Sequence, residues 1–118
     1  MKRSIYLFVT LAMAGQCVPV AALAHSELVS SVPSENGILA SNVREITMIY
    51  NEAIKPVSCK VADSAGSDAD VVGKIAAKGI TLHVPLKDAL PPGKYRLTCR
   101  VVGPDSHAMN ESLVFVVN

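Results

Sequence analysis

From residue 27 onward the chain runs through short stretches that alternate in polarity, divided by turn-forming residues. Ile46, Met48 and Tyr50 share one side of an extended segment, as do Tyr95, Leu97, Cys99 and Val101, and both sets read as core-facing. Val57, Cys59 and Val61 are expected to do the same. On this pattern seven strands are predicted, over residues 27–31, 45–50, 57–62, 70–75, 80–84, 94–102 and 112–117. Between them lie Pro33-Ser34-Glu35-Asn36-Gly37, Ala65-Gly66-Ser67-Asp68, Pro91-Pro92-Gly93 and Gly103-Pro104-Asp105, which break regular structure through positive φ and missing donors. The fourth strand has the weakest pattern, because residues 63–78 are rich in Ala, Gly and Asp. No repeat or helical periodicity competes. The expectation is an all-β, Greek-key β-sandwich, immunoglobulin-like or cupredoxin-like, in a single domain.

The first 24 residues stand apart from this pattern. Lys2 and Arg3 form a basic start, residues 5–14 an apolar run, and Ala22-Leu23-Ala24 a small-residue cleavage site, so residues 1–24 read as a cleaved secretory signal peptide. Retention as a membrane anchor is the rival reading. The run is short for a span of ~20 residues and is interrupted by Gly15, Gln16 and Pro19. Cleavage leaves 94 residues, 25–118, enough for one small domain, with nine Lys and Arg against ten Asp and Glu. That balance gives no reason to expect a nucleic-acid partner.

Cleavage also leaves two cysteines of three, Cys59 and Cys99. In an oxidising compartment an even pair reads as a disulfide, worth about 4 kcal/mol in the chain-entropy account. The alternative is a pair of reduced, buried thiols acting as small hydrophobes.

Cleavage after Ala24 makes His25 the first residue, with an α-amine and an imidazole that can close one chelate ring on a metal. Far along the chain, Asp105-Ser106-His107 follows a long predicted strand. If that segment is extended, residues two apart project the same way and offer a carboxylate and an imidazole together. Alone, Asp-x-His reads more readily as an ordinary turn, with Asp accepting backbone N–H bonds and His in solvent. With His25 added, the chain offers three nitrogens and an oxygen donor, a tetragonal set suited to Cu(II). Zinc accepts the same donors in a tetrahedral arrangement.

The order of several segments resembles the periplasmic copper-resistance proteins of the CopC family. These are His25 followed by Leu28-Val29-Ser30-Ser31-Val32-Pro33, then Ile46-Thr47-Met48-Ile49-Tyr50-Asn51-Glu52, then Leu90-Pro91-Pro92-Gly93-Lys94-Tyr95, then Val101-Val102-Gly103-Pro104-Asp105-Ser106-His107 before Phe115-Val116-Val117. The resemblance implies a soluble, monomeric periplasmic carrier that buffers Cu(II) or hands it on, with His25, Asp105 and His107 as ligands. It also implies that Glu52 lies near the metal, as a ligand or as a group that orients an imidazole, and that a CopD-type inner-membrane copper transporter is a partner. Three departures stand out. Residues 63–78 carry no Met, whereas some family members hold Cu(I) on a Met-rich loop there. Cys99 takes the place of a Trp, so a disulfide with Cys59 would replace an aromatic core anchor. Glu111 takes the place of a Gly, so the turn after His107 is expected to differ. Met109 is a lone soft donor beside His107, and His83 reads as an exposed histidine on an outer strand face.

Two other functions compete. N-terminal-histidine copper sites also serve oxidative polysaccharide-cleaving enzymes, but Tyr50, Tyr95 and Phe115 fall in predicted strands and leave little for an aromatic sugar-binding face, which argues for a carrier and against an enzyme. A disulfide-linked, immunoglobulin-like interaction domain without metal is the third class.

Overall fold

The computed structural model of the protein describes Gly15 and residues 26–118; the rest of the expected leader, its cleavage point and His25 lie outside the described residues. The strands are β1 (Leu28–Val32), β2 (Gly37–Leu39), β3 (Glu45–Tyr50), β4 (Lys55–Asp63), β5 (Asp68–Ala69), β6 (Ala76–Lys78), β7 (Thr81–Pro85), β8 (Gly93–Val102) and β9 (Ala108–Val117). They form a four-stranded sheet in the order β1-β3-β7-β6 and a five-stranded sheet in the order β2-β9-β8-β4-β5. Pairing is antiparallel except where β2 runs parallel to the end of β9. Among the described residues no helix is long and apolar enough to cross a membrane.

Alternation decides what lies between the sheets. Ile46, Met48 and Tyr50 on β3 and Leu82 and Val84 on β7 face Leu97, Cys99 and Val101 on β8 and Leu113, Phe115 and Val117 on β9. One face of each strand is sealed from water, and its neighbours in sequence stay outside. Full burial of each such side chain is worth about 1.5–3 kcal/mol. Tyr95 stacks on Phe115 with ring centroids 5.8 Å apart and donates its hydroxyl to the Pro91 carbonyl at 2.7 Å, so the aromatic pair also ties down the Pro91-Pro92-Gly93 turn.

The β-sandwich is as expected; four local expectations need correction. Residues 70–75 are not a strand: they carry the chain from sheet to sheet, with a single bridge from Val72 to Leu86, while β5 and β6 flank them. Residues 37–39 form β2 between the first two predicted strands, where no strand was expected, completing the edge beside β9. Val57 does not share a face with Cys59 and Val61. The β4–β8 register slips between Pro56 and Ser58, so Val57 is the extra residue of a bulge and is 54% exposed. Finally, β9 starts at Ala108, so Glu111 lies inside a strand, paired with Cys99, and not in a turn after His107.

Cys59 and Cys99 are direct partners in the β4–β8 register, with Cα atoms 4.1 Å apart, and they form a disulfide. The bond ties two neighbouring strands of one sheet on its inner face. His83 lies on the outer face of β7, where its Nδ1 sits 2.6 Å from Glu45 Oε1 of β3.

Candidate metal centre

Three segments meet at one end of the sandwich: the chain entering β1, the link from β3 to β4, and the β8–β9 hairpin loop. The first two are tied reciprocally. The Glu27 amide donates to Asn51 Oδ1 at 2.8 Å, and the Asn51 amide donates to the Glu27 carbonyl at 3.0 Å. Just ahead of this clamp, Ser26 is buried, 4% exposed, and its hydroxyl donates to Glu52 Oε2 at 3.2 Å. Gly103, which opens the hairpin loop, lies so close that a Cβ on it would stand 2.5 Å from Ser26 Oγ and 3.3 Å from Asp105 Oδ1. Glycine here permits the approach of two segments rather than an unusual φ.

The loop itself is a compact turn. The Ser106 amide donates to the Gly103 carbonyl at 3.0 Å, the Gly103 amide donates to the His107 carbonyl at 3.2 Å, and Ser106 takes φ 65°. Pro104 stands where a type I turn favours a fixed φ, and the left-handed residue after it completes the three-residue hairpin pattern. The segment is therefore not extended, contrary to one of the two sequence readings. Asp105 and His107 come together by another route: Asp105 Oδ1 accepts the His107 amide at 3.0 Å, while Oδ2 lies 3.0 Å from His107 Nδ1. The carboxylate fixes the ring by its Nδ1 side, and the His107 side chain is 67% exposed. A carboxylate on one ring nitrogen is the usual support for an imidazole that binds metal through the other.

Of the four residues expected at a metal, the structure brings Asp105 and His107 into contact, carries Glu52 to the same end through Ser26, and leaves His25 outside the described residues. Among the described residues no group of three or more His, Cys, Asp or Glu side chains is placed to hold a metal ion. Ser26, Asn51 and Gly103 were not expected to matter. The sequence signals for them, an Asn at a strand end and a Gly opening a turn, are too common to single out.

Two further titratable groups, Glu111 and Tyr50, influence each other in this sandwich. Glu111 faces inward from β9; burial raises its carboxyl above the ordinary range, and the charge of Glu27 raises it further. Tyr50 is pushed up to about 12, first by burial and then by Glu111, and its buried hydroxyl has no hydrogen-bond partner among the described residues. Met109, half-buried, packs against the core.

The CopC domain family matches residues 28–118. No curated protein matches the chain. Among solved structures, the chain is similar to PcoC, a methionine-rich copper resistance protein from Escherichia coli, at 26% identity and a TM-score of 0.68, covering 80% of this chain and 100% of that one. It is also similar in fold to CopC from Methylosinus trichosporium OB3b, at 23% identity and a TM-score of 0.68, covering 80% and 94%.

Proposed function

The chain belongs to the CopC family, and on that premise we propose that it is a periplasmic Cu(II) carrier whose site is completed by His25 once residues 1–24 have been removed by signal peptidase. The observation that supports this most is the seat of Ser26, buried between Glu52 and Gly103. A residue one peptide link earlier has its Cα only ~3.8 Å from that of Ser26, and so starts beside the loop that carries Asp105 and His107.

In this reading the α-amine and Nδ1 of His25 chelate the ion, and His107 supplies Nε2. Asp105, engaged with His107 through both oxygens, orients the second imidazole and contributes negative charge. Glu52 holds Ser26 and faces the same cation. The metal is cargo: the chain's part is to bind Cu(II) and to exchange it with a recipient, for which a CopD-type inner-membrane copper transporter is the candidate. The donors bind deprotonated, and an α-amine has a reference pKa of about 7.7–8.0, so affinity falls as pH drops below that range.

An oxygenase is less well supported, because Tyr50, Tyr95 and Phe115 are 1%, 7% and 0% exposed and present no aromatic surface to a polymer. A metal-free interaction domain would account for Asp105 as the acceptor within an ordinary turn, but would give no role to the imidazole that its second oxygen holds. Cu(II) titration followed by electron paramagnetic resonance, on protein beginning at His25 and on protein with one extra residue before it, decides between these readings. One-to-one tetragonal binding in the first and its loss in the second is the expected result. Equal or absent binding in both would overturn the proposal.

A further inference from the structure

We propose that Cys59 and Cys99, in their dithiol form, are a second copper site of this protein, selective for Cu(I). The proposal rests on the preceding reading only in taking copper as the metal this protein meets.

The two cysteines face each other across β4 and β8 with Cα atoms 4.1 Å apart, so after reduction two sulfurs remain side by side on one sheet face. They differ in access. Cys99 is fully buried, whereas Cys59 is half-buried and forms part of the wall of an open cleft of about 450 Å³ with Lys60, Val61, Asp68, Val72 and Ile75. A small reductant therefore reaches the bond from the Cys59 side. Attack by a dithiol, or by a water-assisted phosphine in the laboratory, breaks the sulfur–sulfur bond; two electrons pass to the pair, two protons are taken up, and the dithiol leaves as its own disulfide or the phosphine as its oxide.

Two adjacent thiolates are a sufficient donor set for Cu(I), a soft d¹⁰ ion content with two ligands, and a poor one for Cu(II), which favours nitrogen and oxygen in a tetragonal array. Binding Cu(I) releases the two thiol protons and leaves the metal at the base of the cleft, where Asp68 lines the approach. The chain has no other soft pair among the described residues. Met48 is buried on β3 and Met109 lies on β9 in register with Val101. One protein would thus hold Cu(II) at the end of the sandwich and Cu(I) beneath residues 68–75, with the thiol redox state deciding whether the second site exists.

The test reduces the protein with a phosphine, removes the reductant under anaerobic conditions, and titrates Cu(I) against a chromophoric chelator. Reduced protein is expected to take up one Cu(I) per chain more than oxidised protein, with thiolate-to-copper absorption in the near ultraviolet. Both signals should be lost when Cys59→Ser and Cys99→Ser are combined. They should persist in His107→Ala, which separates this proposal from the Cu(II) reading. Equal uptake by oxidised and reduced protein, or extra uptake that survives the double substitution, would overturn it. So would a near-ultraviolet circular dichroism spectrum that collapses on reduction and is not restored by Cu(I).

Discussion

The Gly103–His107 loop and the segment from Asp63 to Gly79 are both connections between strands, but their bonds go to different places. The hairpin loop satisfies itself: Gly103, Asp105, Ser106 and His107 bond to one another, and Ser106 supplies the one left-handed residue that the turn requires. The longer segment begins in the same manner, with Asp63 Oδ1 accepting the amides of Ala65 and Ser67 at 3.0 and 2.9 Å. Beyond that turn it leans on distant partners. The Lys87 amide donates to the Val71 carbonyl at 2.6 Å, the Gly73 amide donates to the Pro85 carbonyl at 2.7 Å, and Lys87 Nζ lies 3.1 Å from Asp70. The Asp105–His107 pair is carried by the connection whose shape is set within five residues. The connection that crosses between sheets takes its shape from what it crosses.

The strongest way to break that contrast is Asp105→Ala. It removes the acceptor of the His107 amide and the group that fixes the ring, and Cu(II) affinity should fall by about 10–100-fold, the usual range for losing a support of this kind. Competition titration reads the change, and an unaltered affinity would mean that the loop does not position the imidazole. Gly103→Ala should follow, with a loss of roughly 10-fold, because overpacking of about 1–3 kcal/mol falls on the seat of Ser26. Here the variant's melting temperature must fall along with its affinity. Asp63→Ala is the counterpart in the other region. It should cost about 1 kcal/mol in urea unfolding, the scale of a lost local acceptor, and leave copper affinity unchanged. An affinity loss equal to that of Asp105→Ala would show that the two regions are not independent.

The same contrast explains what could be read from the sequence. Strands β3, β7 and β8 and the C-terminal half of β9 follow from period-two burial, since Ile46, Met48 and Tyr50 or Leu97, Cys99 and Val101 declare a face without reference to anything else. The Cys59–Cys99 bond was foreseen as a pairing, but not as a link within one sheet. That follows from β4 lying beside β8, a neighbour relation that no local pattern announces, just as none announces the bulge that puts Val57 on the other face. Residues 70–75 resemble a strand in Val71, Val72 and Ile75, yet they have only the Val72–Leu86 bridge to pair with. At the candidate site, Asp105 and His107 were legible because their spacing is local. Ser26 and Gly103 were not, since their roles exist only once residues 77 positions apart are packed together.

The smallest effect expected concerns Glu111, which the sequence placed in a turn and the structure places on the inner face of β9. Its carboxyl is raised by burial and by Glu27, so the folded state binds the Glu111 proton more tightly than the unfolded chain does. A carboxyl shifted this way adds stability that is complete below its unfolded pKa, about 4.3, and that is lost as pH rises through its higher folded value. Above that folded value the charge is carried at a cost, because the partly buried carboxylate is desolvated and faces Glu27. Glu111→Gln removes that cost. The variant should therefore melt above the parent at pH 7, and the difference should shrink toward zero as pH falls to about 4. Paired thermal melts across this range check it. A difference that does not change with pH would mean that Glu111 acts through packing beside Cys99. A difference of the opposite sign at pH 7 would mean that the charge is compensated in the fold, and that the acidic end of the sandwich is already neutralised when it meets a cation.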